Sequence, residues 1–279
     1  MSQRPFLLGA VAYDPKVVTI WDGFAAFFAR EGFAFDYILF TGYERQVEAH
    51  LRGEVDVAWS SPLAWIETER AARARGRRAE AIAMRDTDQD LTSLVVTRAD
   101  GPITTLEELR GRRIGVGARD SPQATLIPLE HLAAAGVGEL EVVVHDVLVG
   151  KHGDHVGGER DAVRALLAGT VDAACILDGN HLAFAREGTV PPGALRVVGR
   201  TGAYDHCNMT VLDDADPAVV ARFRELLLAM SYDDAAVRPL LDLEGLKAWR
   251  PGRTGGYDLL ARAIDRTGYL DAWLARITR

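Results

Sequence analysis

The sequence predicts an α/β protein built as two lobes, with a ligand cleft between them. Three observations carry that expectation: short β-rich runs alternate with longer helical ones, one helix-to-strand turn occurs twice, and a cap-proline pair recurs after predicted strands. The 279 residues suffice for two lobes of roughly 100–150 residues, each with its own core.

Strands are expected at 7–12, 35–40, 55–59, 92–97, 113–116, 141–145, 173–177, 195–198 and 209–212. Each is a short β-rich run. Helices fit 15–31, 43–51, 62–75, 106–109, 122–135, 160–168, 217–230 and 257–267. The alternation predicts parallel sheets covered by helices. Leu51-Arg52-Gly53-Glu54-Val55-Asp56-Val57-Ala58 closely matches Leu167-Ala168-Gly169-Thr170-Val171-Asp172-Ala173-Ala174. Each reads as a helix end, a glycine able to take a left-handed cap, and an acidic residue entering a buried strand. The repeat predicts two similarly built lobes: residues 1–97 plus 205–279 in the first, 98–204 in the second. Pro102 and Thr104-Thr105-Leu106-Glu107-Glu108 open the second with a capping signal.

A hydrophobic share of 48% and a charged share of 26% are those of a globular chain. The formal charge of -8 argues against a nucleic-acid partner, which needs a basic surface. A small anion remains acceptable, because a local group of backbone N–H donors can hold one inside an acidic protein. The stretch Met1–Ala12 lacks an export pattern, so a chain beginning natively at Met1 is expected in the cytoplasm, and a periplasmic one only if a leader was removed. Cys175 and Cys207 are too few for a disulfide framework and are expected reduced.

Asp14-Pro15, Ser61-Pro62 and Ser121-Pro122 each follow a predicted strand. Proline at the first helical position wastes no N–H, and the residue before it caps free donors. Such turns gather at the carboxyl ends of strands, where ligands bind open sheets. Asp216-Pro217 carries the same signal with no reason to face a ligand, so the set matters more than any member. Ser60 and Ser61 offer one free hydroxyl when the other caps; Tyr13 and Tyr43 offer a wall and a hydroxyl, or simply packing. The polar run Lys151-His152-Gly153-Asp154-His155-Val156-Gly157-Gly158-Glu159-Arg160 leads into a helix, and its double glycine permits close backbone approach. Tyr204-Asp205-His206-Cys207-Asn208 is the second dense cluster. His152, Asp154, His155, His206 and Cys207 are able ligands, so a divalent transition metal is a candidate cofactor, best held by His152, His155, His206 and Cys207. No HExxH, CxxC, P-loop, nucleophile elbow or dinucleotide fingerprint is present.

The order of motifs resembles a known family. Thr41-Gly42-Tyr43, then Gly53-Glu54-Val55-Asp56-Val57-Ala58-Trp59-Ser60-Ser61-Pro62-Leu63-Ala64, are similar to the phosphate, phosphite and phosphonate-binding proteins of ABC importers. So are the stretch from Thr105 to Gly117 and the run Asp120-Ser121-Pro122-Gln123-Ala124-Thr125-Leu126-Ile127-Pro128. The resemblance implies the type II periplasmic-binding-protein fold, with two crossover strands, a ligand in the cleft and, for an exported chain, an ABC permease as partner. It places the anion-holding turn at Ser121, Pro122 and Gln123.

Two functions follow. In the first, the protein binds a small polar or anionic metabolite through Tyr13, Asp14, Tyr43, Ser60, Ser61, Ser121 and Gln123, with Lys151 or Arg160 supplying charge. In the second, a cytoplasmic lyase or decarboxylase on the same fold uses His152 or His155 as acid or base, oriented by Asp154, with His206 or Cys207 as second proton carrier or metal ligand.

Overall fold

The structure is a computed structural model; it describes residues 4–146, 148, 149, 152, 153 and 155–277. From the start run β1 (Phe6–Val11), α1 (Lys16–Arg30), β2 (Phe35–Phe40), α2 (Tyr43–Leu51), β3 (Val57–Ser60), α3 (Pro62–Ala74) and β4 (Ala79–Arg85). Then follow β5 (Ser93–Arg98), β6 (Arg113–Val116), a π-helical turn (Pro122–Leu126) leading into α4 (Ile127–Ala134), and β7 (Glu141–Val144). The short pair β8 (Leu148–Val149) and β9 (His152–Gly153) precedes α5 (His155–Leu167), β10 (Ala173–Leu177), α6 (Asp178–Arg186) and β11 (Leu195–Arg200). The chain closes with β12 (Asn208–Leu212), α7 (Pro217–Ala229), α8 (Arg238–Glu244), β13 (Trp249–Pro251), α9 (Asp258–Thr267) and α10 (Asp271–Ile277).

Two compact units result: Met1–Gln89 with Asp205–Tyr257 and Tyr269–Arg279, and Asp90–Tyr204 with Asp258–Gly268. The chain leaves the first unit at Gln89, ahead of β5, rather than after Thr97. β5 pairs antiparallel with β10 and β11, which fixes it in the second unit. Helix α9 joins the second unit too, with Arg266 ion-paired to Glu130 of α4, whereas the whole tail was expected in the first.

The first unit holds six strands in the order β13-β4-β12-β3-β1-β2. Its core follows from α1, whose Val17, Ile20, Trp21, Phe24 and Phe28 fall on one helical stripe and are all buried. Phe28 meets Phe35 at 4.6 Å and Phe223 of α7 at 5.1 Å between ring centroids, so one aromatic cluster ties α1, β2 and α7. The second unit holds a five-stranded sheet, β11-β5-β10-β6-β7, and the separate β8-β9 pair. Both sheets are mixed, which corrects the expectation of parallel ones: β12 and β4 in the first, β5 and β11 in the second, run antiparallel to their neighbours.

The repeated turn does the same work in each unit. Gly53 and Gly169 take φ +71 and +75, and the following N–H groups of Glu54 and Thr170 donate to Ala49 and Ala165 carbonyls at 3.0 and 2.9 Å. These are left-handed helix stops. Asp56 N–H donates to the Leu7 carbonyl (2.8 Å) while its carboxylate accepts from Leu7 N–H (2.8 Å). Asp172 repeats both bonds with Arg113, at 2.8 and 2.9 Å. Each acidic residue therefore locks its strand parallel to a neighbour, β3 to β1 in the first unit and β10 to β6 in the second.

Candidate functional site

In the second unit the parallel strands β6, β7 and β10 end at one edge, where the π turn, α5 and α6 begin. Helix starts leave backbone N–H donors without intrahelical partners. At α6 the first residue, Asp178, brings its own carboxylate and pairs with Arg200. At α5, His155 Nε2 lies 3.1 Å from Asp120 Oδ1. The π turn differs, since its cap is the Ser121 hydroxyl, which accepts from Ala124 N–H at 3.2 Å. Thr125 Oγ1 donates to the Ala118 carbonyl (2.8 Å), and Arg119 stands exposed in the same turn.

Beneath this turn lies Glu159, which sequence reasoning did not single out. It is fully buried; one carboxylate oxygen accepts from Leu177 N–H and from the Asn180 amide, both at 2.8 Å. Its other oxygen, and Oε1 of the nearby Gln123, are buried without hydrogen-bond partners. Burial pushes the Glu159 carboxyl up to about 7, against the lowering pull of Asn180, Leu177, His155 and Gln123. The glycine pair has a structural use: a Cβ on Gly158 would lie 2.5 Å from the His145 carbonyl and 3.2 Å from Ala118 N. What it approaches is the chain itself, and this close packing starts α5 at His155, ahead of the expected Arg160.

In the first unit β1, β2 and β3 likewise end together, at α1, α2 and α3. Asp14 Oδ1 accepts from Lys16 N–H (2.8 Å) just ahead of α1, which starts one residue later than the Asp14-Pro15 signal implies, and Ser61 caps α3 through Ala64 N–H (3.2 Å). Ser60 is buried and accepts from Thr210 (2.9 Å) in a network that continues through Asn208 to Tyr257. Tyr43 packs with the core around Val47 and Leu51. Tyr13 is exposed in part, yet desolvation and the nearby Glu244 raise its phenol to about 12. Arg160 does not stand ready for a ligand; it is paired with Glu187 at 2.6 Å and lies over the Phe184 ring. Lys151, Asp154 and the side chain of His152 lie outside the described residues.

The antiparallel side of the first unit carries a buried charge cluster. Arg85 grips Asp88 with two bonds, 2.6 and 2.9 Å, and reaches Glu244 at 3.2 Å. Burial alone would raise Asp88, but Arg85 and His206 overcome it and hold the carboxyl at about 2. Burial instead prevails at Glu244, raised to about 7. His206 and Cys207 sit beside Asp88 in the first unit, and His155 lies in the second. The Cys207 thiol is pushed well up by burial and by Asp88. A buried neutral thiol is a poor nucleophile or proton carrier.

A sequence model of the family described as "ABC transporter, phosphonate, periplasmic substrate-binding protein" matches residues 10–257. Among solved structures, PhnD1 from Prochlorococcus marinus in complex with methylphosphonate is similar at 15% identity, covering 95% of this chain and 98% of that one, with a TM-score of 0.69. A Xanthomonas citri protein bound to ATP is similar at 19% identity over 99% and 98% of the two chains, TM-score 0.68. A binding protein component of an ABC phosphonate transporter from Pseudomonas aeruginosa follows at 14% identity over 99% and 97%, TM-score 0.59. At these identities the likeness shows the fold, that of type II periplasmic binding proteins, as the sequence led us to expect. The lyase or decarboxylase alternative gains no support from them, and neither does the cytoplasmic expectation, since the family is described as periplasmic. Among the described residues, no helix is long and apolar enough to cross a membrane.

Proposed function

The chain belongs to the family of periplasmic substrate-binding proteins of phosphonate ABC transporters, and on that premise we propose that it captures a small organic anion for delivery to an ABC permease outside the cytoplasm. The observation carrying the ligand class is the Ser121–Thr125 turn. Of the three helix starts at its edge, it is the one whose described cap is a neutral hydroxyl, and a helix start favours negative charge by about 0.3–1 kcal/mol or more when partly buried. The carboxyl beneath it can shed its own charge, because burial holds Glu159 near 7. A phosphonate, phosphate or sulfonate head fits such donors, with Gln123 and the Ser121 hydroxyl as side-chain contacts. Tyr13, Asp14 and Ser61, at the corresponding edge of the first unit, remain candidate ligand contacts there. Ser60 and Tyr43 are better explained by packing.

A thermal-shift screen tests the reading, with methylphosphonate, alkylsulfonates, inorganic phosphate and ATP as probes. A ligand at a hundred times its dissociation constant adds about 2.7 kcal/mol of stability. Ser121→Ala and Gln123→Ala are expected to shrink the ligand-induced rise. A rise of full size in both variants would move the site elsewhere, and the absence of any rise with anions would remove the ligand class.

A further inference from the structure

The strand that returns to the first unit enters through Asp205-His206-Cys207, which carries two metal-ligating side chains to the buried Asp88. His206 Nδ1 lies 3.3 Å from Asp88 Oδ1 and 3.1 Å from Cys207 Sγ. One ligand atom from each of the three residues lies within 4.8 Å of the other two. The two segments are also fixed in the backbone, since His206 N–H donates to the Asp88 carbonyl at 2.8 Å. Ligand atoms bound to one ion at about 2.0–2.3 Å stand roughly 3–4 Å apart, and both distances from His206 Nδ1 fall in that range.

The geometry points to Asp88, His206 and Cys207 as a three-ligand site for a divalent transition metal of the zinc or cobalt class, independent of the anion captured by the chain. Thiolate, imidazole and carboxylate together select such ions over magnesium or calcium, which take oxygen. Arg85 does not exclude the ion. A carboxylate has about four lone-pair sites, so Asp88 keeps acceptor capacity while the guanidinium orients it from behind, the usual support for a ligating carboxylate. Charge favours occupancy. One guanidinium faces two carboxylates, Asp88 and Glu244, and the second resists ionising in its buried place. An ion of charge two bound with loss of one proton, M2+ + Cys–SH → Cys–S–M+ + H+, brings these groups to neutrality with Glu244 ionised.

Cobalt(II), added to the full chain after chelator treatment, reads the site. A thiolate-to-cobalt charge-transfer band is expected in the wild type and in Cys175→Ala, whose cysteine is buried in the second unit. The band is expected to vanish in Cys207→Ser and to need at least tenfold more cobalt in His206→Gln. Above about pH 7, where Glu244 is already ionised, release of the thiol proton should strengthen binding about tenfold per pH unit while the thiol stays protonated. No band in the wild type, or a band surviving in Cys207→Ser, overturns the assignment. These two variants leave the Arg85–Asp88 pair intact, so a failure to fold does not obscure the result.

Discussion

Glu159 carries the clearest pH signature among single residues. Its folded carboxyl titrates near 7, above the ordinary value of 4.5. Between those values the folded chain holds a proton that the unfolded chain has released, so stability falls as pH rises. Its contribution is complete below about 4.5 and lost as pH passes 7. Glu244 shifts in the same direction and for the same leading cause, burial. Urea melts from pH 5 to 8 should therefore show declining stability. Glu159→Gln should flatten part of that slope and raise stability at pH 8, leaving the share due to Glu244. An unchanged slope would mean that Glu159 stays ionised. Asp88 behaves oppositely. Held at about 2, it lends stability above its unfolded pKa that disappears as pH falls toward 2. Asp88→Ala should cost about 1.5–3 kcal/mol, because the half-buried Arg85 would lose its bidentate partner and keep only Glu244, and chemical denaturation checks this. None of these carboxyls was legible as special in the sequence. Burial singles them out, and burial depends on strands whose pairing spans the chain.

Elements that announced themselves did so through local chemistry. The cap-proline starts of α3 and α7 lie where Ser61-Pro62 and Asp216-Pro217 placed them, each side chain accepting from the first turn. Ser61→Ala and Asp216→Ala should each cost about 0.5–2 kcal/mol, measured by thermal or urea unfolding. Strand β4 was invisible because Ala79–Arg85 is spelled in helix formers, Ala, Glu and Met. Pairing with β12 and β13 on its two sides overrides that preference. Helix α5 was read late for the opposite reason, its first turn containing two poor helix formers. Gly158→Ala should destabilise by about 1–3 kcal/mol through its clash with the His145 carbonyl. Gly179→Ala, in α6 with nothing within 4 Å of the added carbon, should be neutral or mildly stabilising. Comparing the two melting temperatures separates a packing requirement from helix propensity.

At the scale of the molecule, the repeated Gly-x-Val-Asp turn revealed the doubling of the architecture, and the equivalence reaches individual hydrogen bonds. The antiparallel strands and the true boundaries were not legible, since they are set by contacts between distant segments. Both units are also discontinuous, each completed by a late helix: α9 packs on α4 in the second, and α10 packs on α3 in the first, with Trp273 buried near Leu51 and Ala72. Truncation after Tyr257 should therefore lower the stability of both units, read as earlier urea midpoints for probes placed in each. A probe in the second unit that keeps its full-length midpoint would refute the role of α9. The same arrangement bears on biosynthesis. A chain emerging from the ribosome at about 5–20 residues per second has made every strand of the two sheets before residues 258–277 appear, so the faces of α4 and α3 that α9 and α10 cover stay open until they do. For that interval a secretion machine or a chaperone meets a chain with two helix-binding faces bare rather than a finished domain.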